Sequence, residues 1–236
     1  MIPLKDDAPS STTPYVNFTL IGLNVAVFLC EAWIWSQNPG NLNAFVQQYG
    51  LVPERLNDEL FHVGFFQWLV NAIVPVFSSM FLHGSVFHLI FNMWGLWIFG
   101  DAIEDHLGHG MYLVFYIVCG VAAAFLHIVA DADSLVPMIG ASGAIAGVLG
   151  AYLRLFPRQR VLIWWPNIFA ASWFQWVSAW IVLGWWIVGQ VLAALEAFRR
   201  GGSAGGVAVW AHLGGFLAGM LFIEFLPARR RYHIEF

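Results

Sequence analysis

No Asp, Glu, Lys or Arg lies in 61–100, 106–130, 134–153, 161–195 or 201–223 of this chain. A bilayer crossing needs about 20 predominantly apolar residues, and each run is of that order or longer. Only 10% of the 236 residues are charged, against about 25% in a soluble globular domain. With 60% hydrophobic residues and a mean hydropathy of +0.71, the chain cannot cover a water-soluble particle. A disordered chain, a nucleic-acid binder and an ordinary cytosolic enzyme are excluded. The net charge of −4 is too small to call for a polyanionic partner. A polytopic membrane protein remains.

Hydropathy places six spans at about 16–36, 82–100, 110–130, 140–156, 172–195 and 207–226. Residues 61–81 are long enough for a seventh. Their Gln67, Asn71, Pro75, Ser78 and Ser79 favour an interfacial or re-entrant segment. Residues 161–171, with Trp164, Trp165 and Pro166, read as an interfacial lead into the fifth span, where Trp is enriched. Cys30 and Cys119 lie inside apolar runs and read as small buried hydrophobes. The first 14 residues set acids beside Lys5, unlike the positively charged start of a signal peptide.

With six spans and the N-terminus inside, Lys5, Arg154, Arg158, Arg160, Arg229, Arg230 and Arg231 face the cytoplasm. Arg55, Arg199 and Arg200 face outward, as the positive-inside rule prefers. If 61–81 also spans, Lys5 and Arg55 trade places and the split is unchanged. Everything from residue 82 onward keeps one orientation.

Spans two, four and six run from outside to inside, and each carries polar side chains near its outer end. They are His83, His88 and Asn92 in span two, Ser142 in span four and His212 in span six. Polar groups at one depth of a membrane are expensive unless paired, and mark function. His88 and Asn92, four apart, share a helix face, whereas His83 need not point the same way. Gly143, Gly147 and Ala151 have the small-xxx-small spacing of close helix packing, as do Gly215 and Gly219 below His212. Spans four and six can therefore pack backbone to backbone and bring Ser142 to His212. Gly140 and Gly143 leave room for a peptide backbone. The free N–H groups at the start of span four, with His88 and Asn92, are suited to an oxyanion. Nucleophile, base and oxyanion donors make an acyl-transfer site, a dyad without a carboxylate.

Each feature has a plainer reading. A Ser among small residues is packing, an intramembrane His is often an interhelical hydrogen bond, and small-xxx-small spacing says only that helices touch. His62, His106, His109 and His233 read as solvated; His127 fits either use. A metal site of His83, His88 and His212 lacks acidic ligands and gives Ser142 no task. A non-catalytic scaffold that captures membrane helices is the third reading. The combination at one depth favours catalysis, with no metal and no cofactor.

The motifs H-x(4)-H-x(3)-N (His83, His88, Asn92), G-x-S-G (Gly140 to Gly143) and A-H-x-x-G-x-x-x-G (Ala211, His212, Gly215, Gly219) resemble those of the rhomboid intramembrane serine proteases. The resemblance covers about 15–226, between a short polar segment 1–14 and a basic tail 227–236. It implies an all-α bundle of six transmembrane helices, with a long, partly embedded first loop at about 38–80 and a cavity open to the outer face. Ser142 would be the nucleophile and His212 the general base and acid. Asn92, His88 and the Ser142 N–H would hold the oxyanion, with His83 a further binding candidate. Substrates would be single-pass membrane proteins cut near small residues, admitted from lipid past the fifth helix and a loop at about 199–206. Glu104 matches a position bracing the second helix from the inner side. An aromatic residue found in some members four after the nucleophile is Ala146 here, so other packing must orient His212. The Trp-Arg pair of some first loops is absent, since Glu54 precedes Arg55. The partners expected are these substrates and the lipid bilayer, with no nucleic acid. The compact core and short termini point to a bacterial plasma membrane, with an organelle as the other location and both termini cytoplasmic.

Overall fold

The computed structural model describes residues 2–165, 173–199 and 208–229. The fold is mostly helical. Among the described residues, four helices are long and apolar enough to cross a membrane: α1 (Tyr15–Gln37), α5 (Val86–Leu107), α6 (His109–Ala130) and α8 (Ala179–Arg199). Two shorter apolar helices, α7 (Ser142–Leu155) and α9 (Val209–Phe222), lie within the stretches expected as the fourth and sixth spans. The connection between α1 and α5 contains α2 (Pro39–Tyr49), α3 (Pro53–His62) and α4 (Phe65–Ser78), followed by a 3₁₀ turn at Ser79–Phe81.

The all-α expectation needs correction. Three antiparallel strands, β1 (Ile2–Asp6), β2 (Arg160–Trp164) and β3 (Phe174–Ser178), form a sheet in the order β1-β2-β3. Ile2 pairs with Trp164, and Arg160 with Ser178. Ile2–Asp6 of the polar segment, Val161–Trp164 of the lead into the fifth span and Phe174–Ser178 are thus paired backbone, and residues 166–171 of that lead lie outside the described residues. Their Val, Ile, Trp and Phe residues suit strands. Within the run 161–195, Val161–Trp164 and Phe174–Ser178 are strands and α8 begins only at Ala179.

Central α7 is buried along most of its length, and α9 and α6 pack against it. Glycine makes the α7–α9 contact possible. A Cβ on Gly215 or Gly219 would run into the backbone of Gly143 or Gly147. One on Gly150 would strike the Phe216 carbonyl. The predicted backbone-to-backbone packing of these two helices is what the structure shows. The core around them includes Leu96, Tyr112, Tyr116, Ala144, Val148 and Tyr152.

α5 begins at Val86 rather than 82, because Ser85 caps it: the Ser85 hydroxyl accepts the His88 N–H at 3.1 Å. His83 therefore lies in the turn before α5 and not in the span. Gly108, at φ +79°, ends α5 and starts α6, a backbone shape that favours glycine. Glu104 braces the end of α5 against its neighbours. Its carboxylate accepts the Val16 and Asn17 N–H groups at 3.0 and 2.7 Å, capping α1, whose Pro14 offers no side-chain cap. It also meets His109 Nδ1, so His109 is not a simply solvated histidine. Cys119 is buried as expected, but Cys30 is exposed on the outside of α1. His233, residues 230–236 of the tail and residues 200–206 of the expected gating loop lie outside the described residues.

α4 buries only Ala72 and Pro75 and exposes Phe65, Phe66, Val70 and Val74. An isolated bridge between Leu51 and Met138 ties the loop to the segment that leads into α7.

Candidate active site

Ser142 is the first residue of α7. Gly140, at φ +122°, turns the chain into that helix. The bond from Ile145 N to Ala141 O, at 3.0 Å, is the first helical one. The N–H groups of Ser142, Gly143 and Ala144 thus lack intrahelical partners at the helix N-terminus, where the dipole favours negative charge.

His212 sits in the first turn of α9, where its N–H bonds to Ala208 O at 3.2 Å. The glycine contact below aligns α7 and α9. Across it, His212 Nε2 lies 2.8 Å from Ser142 Oγ, the two residues being 70 positions apart in the chain. The other ring nitrogen, Nδ1, lies 2.7 Å from Gln190 Oε1 on α8. The Trp186 ring, one turn earlier on α8, stands 5.9 Å from the imidazole at a 43° tilt. The packing that orients His212 in place of an aromatic at Ala146 thus comes from α8.

His88 and Asn92 face the turn before Ser142. A Cβ on Gly140 would sit 2.7 Å from the His88 ring, so only glycine leaves that ring its place, with Asn92 Nδ2 at 3.6 Å beside it. His83 Nδ1 donates to Phe81 O at 3.1 Å, which leaves Nε2 to accept from Asn92 Nδ2 at 3.0 Å. His83 and His88 stack edge-on, 5.1 Å apart. His83 thus supports Asn92. The five polar residues predicted at one depth do assemble, with His83 reaching the group from a turn.

Gly143 serves differently from expectation. A Cβ there would meet Ala123 Cβ at 2.6 Å, with Ala211 close behind. Its space is taken by α6 and α9 rather than left open to a peptide. His127 is buried on α6 at the edge of the same cavity.

Two participants escaped the sequence reading. Gln190 is the only side-chain acceptor in 179–195, and an amide in an otherwise apolar helix was the available signal. Glu31 was the single charge inside the first span. It is 2% exposed and accepts the His83 backbone N–H at 3.1 Å.

Ser142, His212, His88 and Asn92 line one end of a cavity of about 990 Å³. Its walls come from α5 (Phe91, Trp94) and α8 (Leu183, Trp186), and its far end reaches Ile2 and Pro3 of β1. There the Trp94 indole donates to Pro3 O at 2.7 Å. Its lining is largely apolar, with the polar atoms gathered around Ser142. Among the described residues, no three His, Cys, Asp or Glu side chains are grouped to hold a metal.

A family model for the rhomboid domain matches residues 70–229. The chain is 28% identical over 213 residues to rhomboid protein 1, mitochondrial, of Saccharomyces cerevisiae, covering 87% of this chain and 51% of that protein. It is 30% identical over 159 residues to the human presenilin-associated rhomboid-like protein, mitochondrial, covering 64% of this chain and 37% of the relative. Over 87 residues it is 38% identical to rhomboid protease GluP of Bacillus subtilis, 36% of this chain and 17% of that one. The chain thus spans about half, or less, of the length of these relatives. Two of the three are named as mitochondrial, which counts against reading a bacterial plasma membrane from a compact core. The matched region contains all three motifs and every side chain of the polar group around Ser142, and the chain belongs to the rhomboid family.

Proposed function

We propose that this chain is an intramembrane serine endopeptidase working through Ser142 and His212. One observation carries the reading: the 2.8 Å contact between His212 Nε2 and Ser142 Oγ at the head of α7, inside a cavity with apolar walls. Relatives include one named a rhomboid protease.

In the proposed reaction, Ser142 Oγ attacks the scissile carbonyl as its proton passes to His212 Nε2. The oxyanion that forms is met by the Ser142 N–H, the Asn92 amide and the His88 ring. Collapse of the tetrahedral intermediate breaks the C–N bond. His212 gives its proton to the leaving amine, and an acyl-enzyme remains. Water then attacks the ester carbonyl while His212 takes its proton, and the second collapse returns that proton to Ser142 Oγ. No metal or cofactor enters.

The six spans in this reading are α1, α5, α6, α7, α8 and α9, with both termini on the inner side and α4 lying in the outer leaflet. The 14 residues of α7 cover about 21 Å, short of the roughly 30 Å hydrocarbon core. Ser142 therefore opens outward from below the membrane surface. The gap between α5 and α8 suits one transmembrane segment of a single-pass protein, bound by its apolar side chains and unwound near small residues.

The test is cleavage of a single-pass transmembrane reporter by the chain reconstituted in liposomes. Ser142→Ala and His212→Ala should each abolish cleavage without changing the thermal transition. Cleavage retained by Ser142→Ala excludes the reading.

A further inference from the structure

An imidazole is a useful base only if its free nitrogen faces the nucleophile. The neutral ring has one N–H and one lone pair, and a hydrogen bond at one nitrogen decides which atom carries the proton. Serine hydrolases commonly give that task to a carboxylate. Among the described residues, the side-chain partners of the His212 ring nitrogens are Ser142 and Gln190.

We propose that Gln190 is the positioning residue of the dyad, holding His212 by Nδ1 so that Nε2 presents its lone pair to Ser142; this rests on the dyad reading above. The 2.7 Å contact of Gln190 Oε1 with Nδ1 puts the imidazole proton on Nδ1. The 2.8 Å contact of Nε2 with Ser142 Oγ then runs from the hydroxyl to the ring. Trp186 and Gln190, four apart, share one face of α8. One restricts the imidazole by its ring contact and the other ties its nitrogen. Ala146, on the α7 side, brings only a methyl group.

The placement of this amide also argues for the role. An unpaired amide in an apolar helix costs free energy. α8 buries only Ala179, Leu183, Ala194 and Ala197, so Gln190 adds little to its packing. It meets the one ring whose orientation the chemistry needs. A neutral acceptor differs from a carboxylate in one respect: it fixes the tautomer without adding charge to stabilise the imidazolium. Substituting a carboxylate separates the two effects.

The experiment measures reporter cleavage in liposomes by the full chain, its Gln190→Met and Gln190→Glu variants, and Ser142→Ala. Gln190→Met should lower kcat by about 10–100-fold, with KM within about twofold of the parent. Gln190→Glu keeps an acceptor and should recover most of kcat. The added charge favours the protonated ring, so the acid limb of its pH–kcat profile should move to higher pH. A parental kcat and pH profile in Gln190→Met overturns the proposal. If that variant does not fold, an unmoved acid limb in Gln190→Glu overturns it instead. Cleavage by Ser142→Ala would strike the dyad reading itself, whatever the variants at 190 do.

Discussion

The Glu31 carboxylate in α1 accepts the His83 backbone N–H at 3.1 Å across 52 residues of sequence. His83 in turn takes a hydrogen bond from Asn92 at 3.0 Å. A side chain proposed to meet the oxyanion is thus held through a relay that begins in the first span. Glu31→Gln keeps an acceptor and should cost less than about threefold in kcat. Glu31→Leu leaves the buried His83 N–H unpaired. It should cost about 1–3 kcal/mol of stability and lower kcat by roughly 10-fold or more as Asn92 drifts. Thermal unfolding and reporter kinetics on the two variants check the contrast.

Asn92 supplies a donor in the transition state under the proposed reaction. Asn92→Ala should reduce kcat by about 10²–10³-fold with little change in KM. A pure rise in KM would assign Asn92 to substrate binding instead.

The α7–α9 contact sets the distance between Ser142 and His212. A side chain on Gly219 would press into the Gly147 backbone, which cannot rotate away. Gly219→Val should destabilise the chain by about 1–3 kcal/mol and lower kcat even at temperatures where the protein stays folded. Gly184, whose added Cβ would meet nothing within 4 Å, is the control: Gly184→Ala should leave both unchanged.

At the other end of the cavity, burial pushes the Asp6 carboxyl from its ordinary 3.8 up to about 6, against the bond donated by the Tyr152 hydroxyl and with a further push from Asp101. A carboxyl raised on folding holds its proton more tightly in the folded state. Stability from β1 docking is therefore complete below about pH 4 and falls as pH rises through about 6. Amide exchange of residues 2–6, corrected for intrinsic rates, should show more protection at pH 5 than at pH 8. Asp6→Asn should flatten the difference.

Much of the arrangement was legible in the sequence, because charge-free runs, glycine spacing and a few misplaced polar residues obey strong rules. The α7–α9 glycines and the meeting of Ser142 with His212 followed from small-xxx-small spacing and common depth. The strands did not: Ile2–Asp6 pairs with Arg160–Trp164, a long-range partnership that no local pattern in a polar N-terminus announces. The start of α5 was missed because hydropathy is blind to caps, and Ser85 fixes it. Gln190 and Glu31 were visible as polar residues in apolar helices. Their partners, His212 and the His83 backbone, depend on how α8 and α1 pack. Gly143 was read by its size alone, which does not say which neighbour fills the space.

The most direct measurement is labelling by a serine-directed fluorophosphonate, with the modified residue mapped by mass spectrometry. The proposed chemistry predicts one adduct, on Ser142, lost in Ser142→Ala and strongly slowed in His212→Ala, while a metal chelator changes nothing. An unlabelled Ser142 in folded protein that still cleaves the transmembrane reporter would contradict the account.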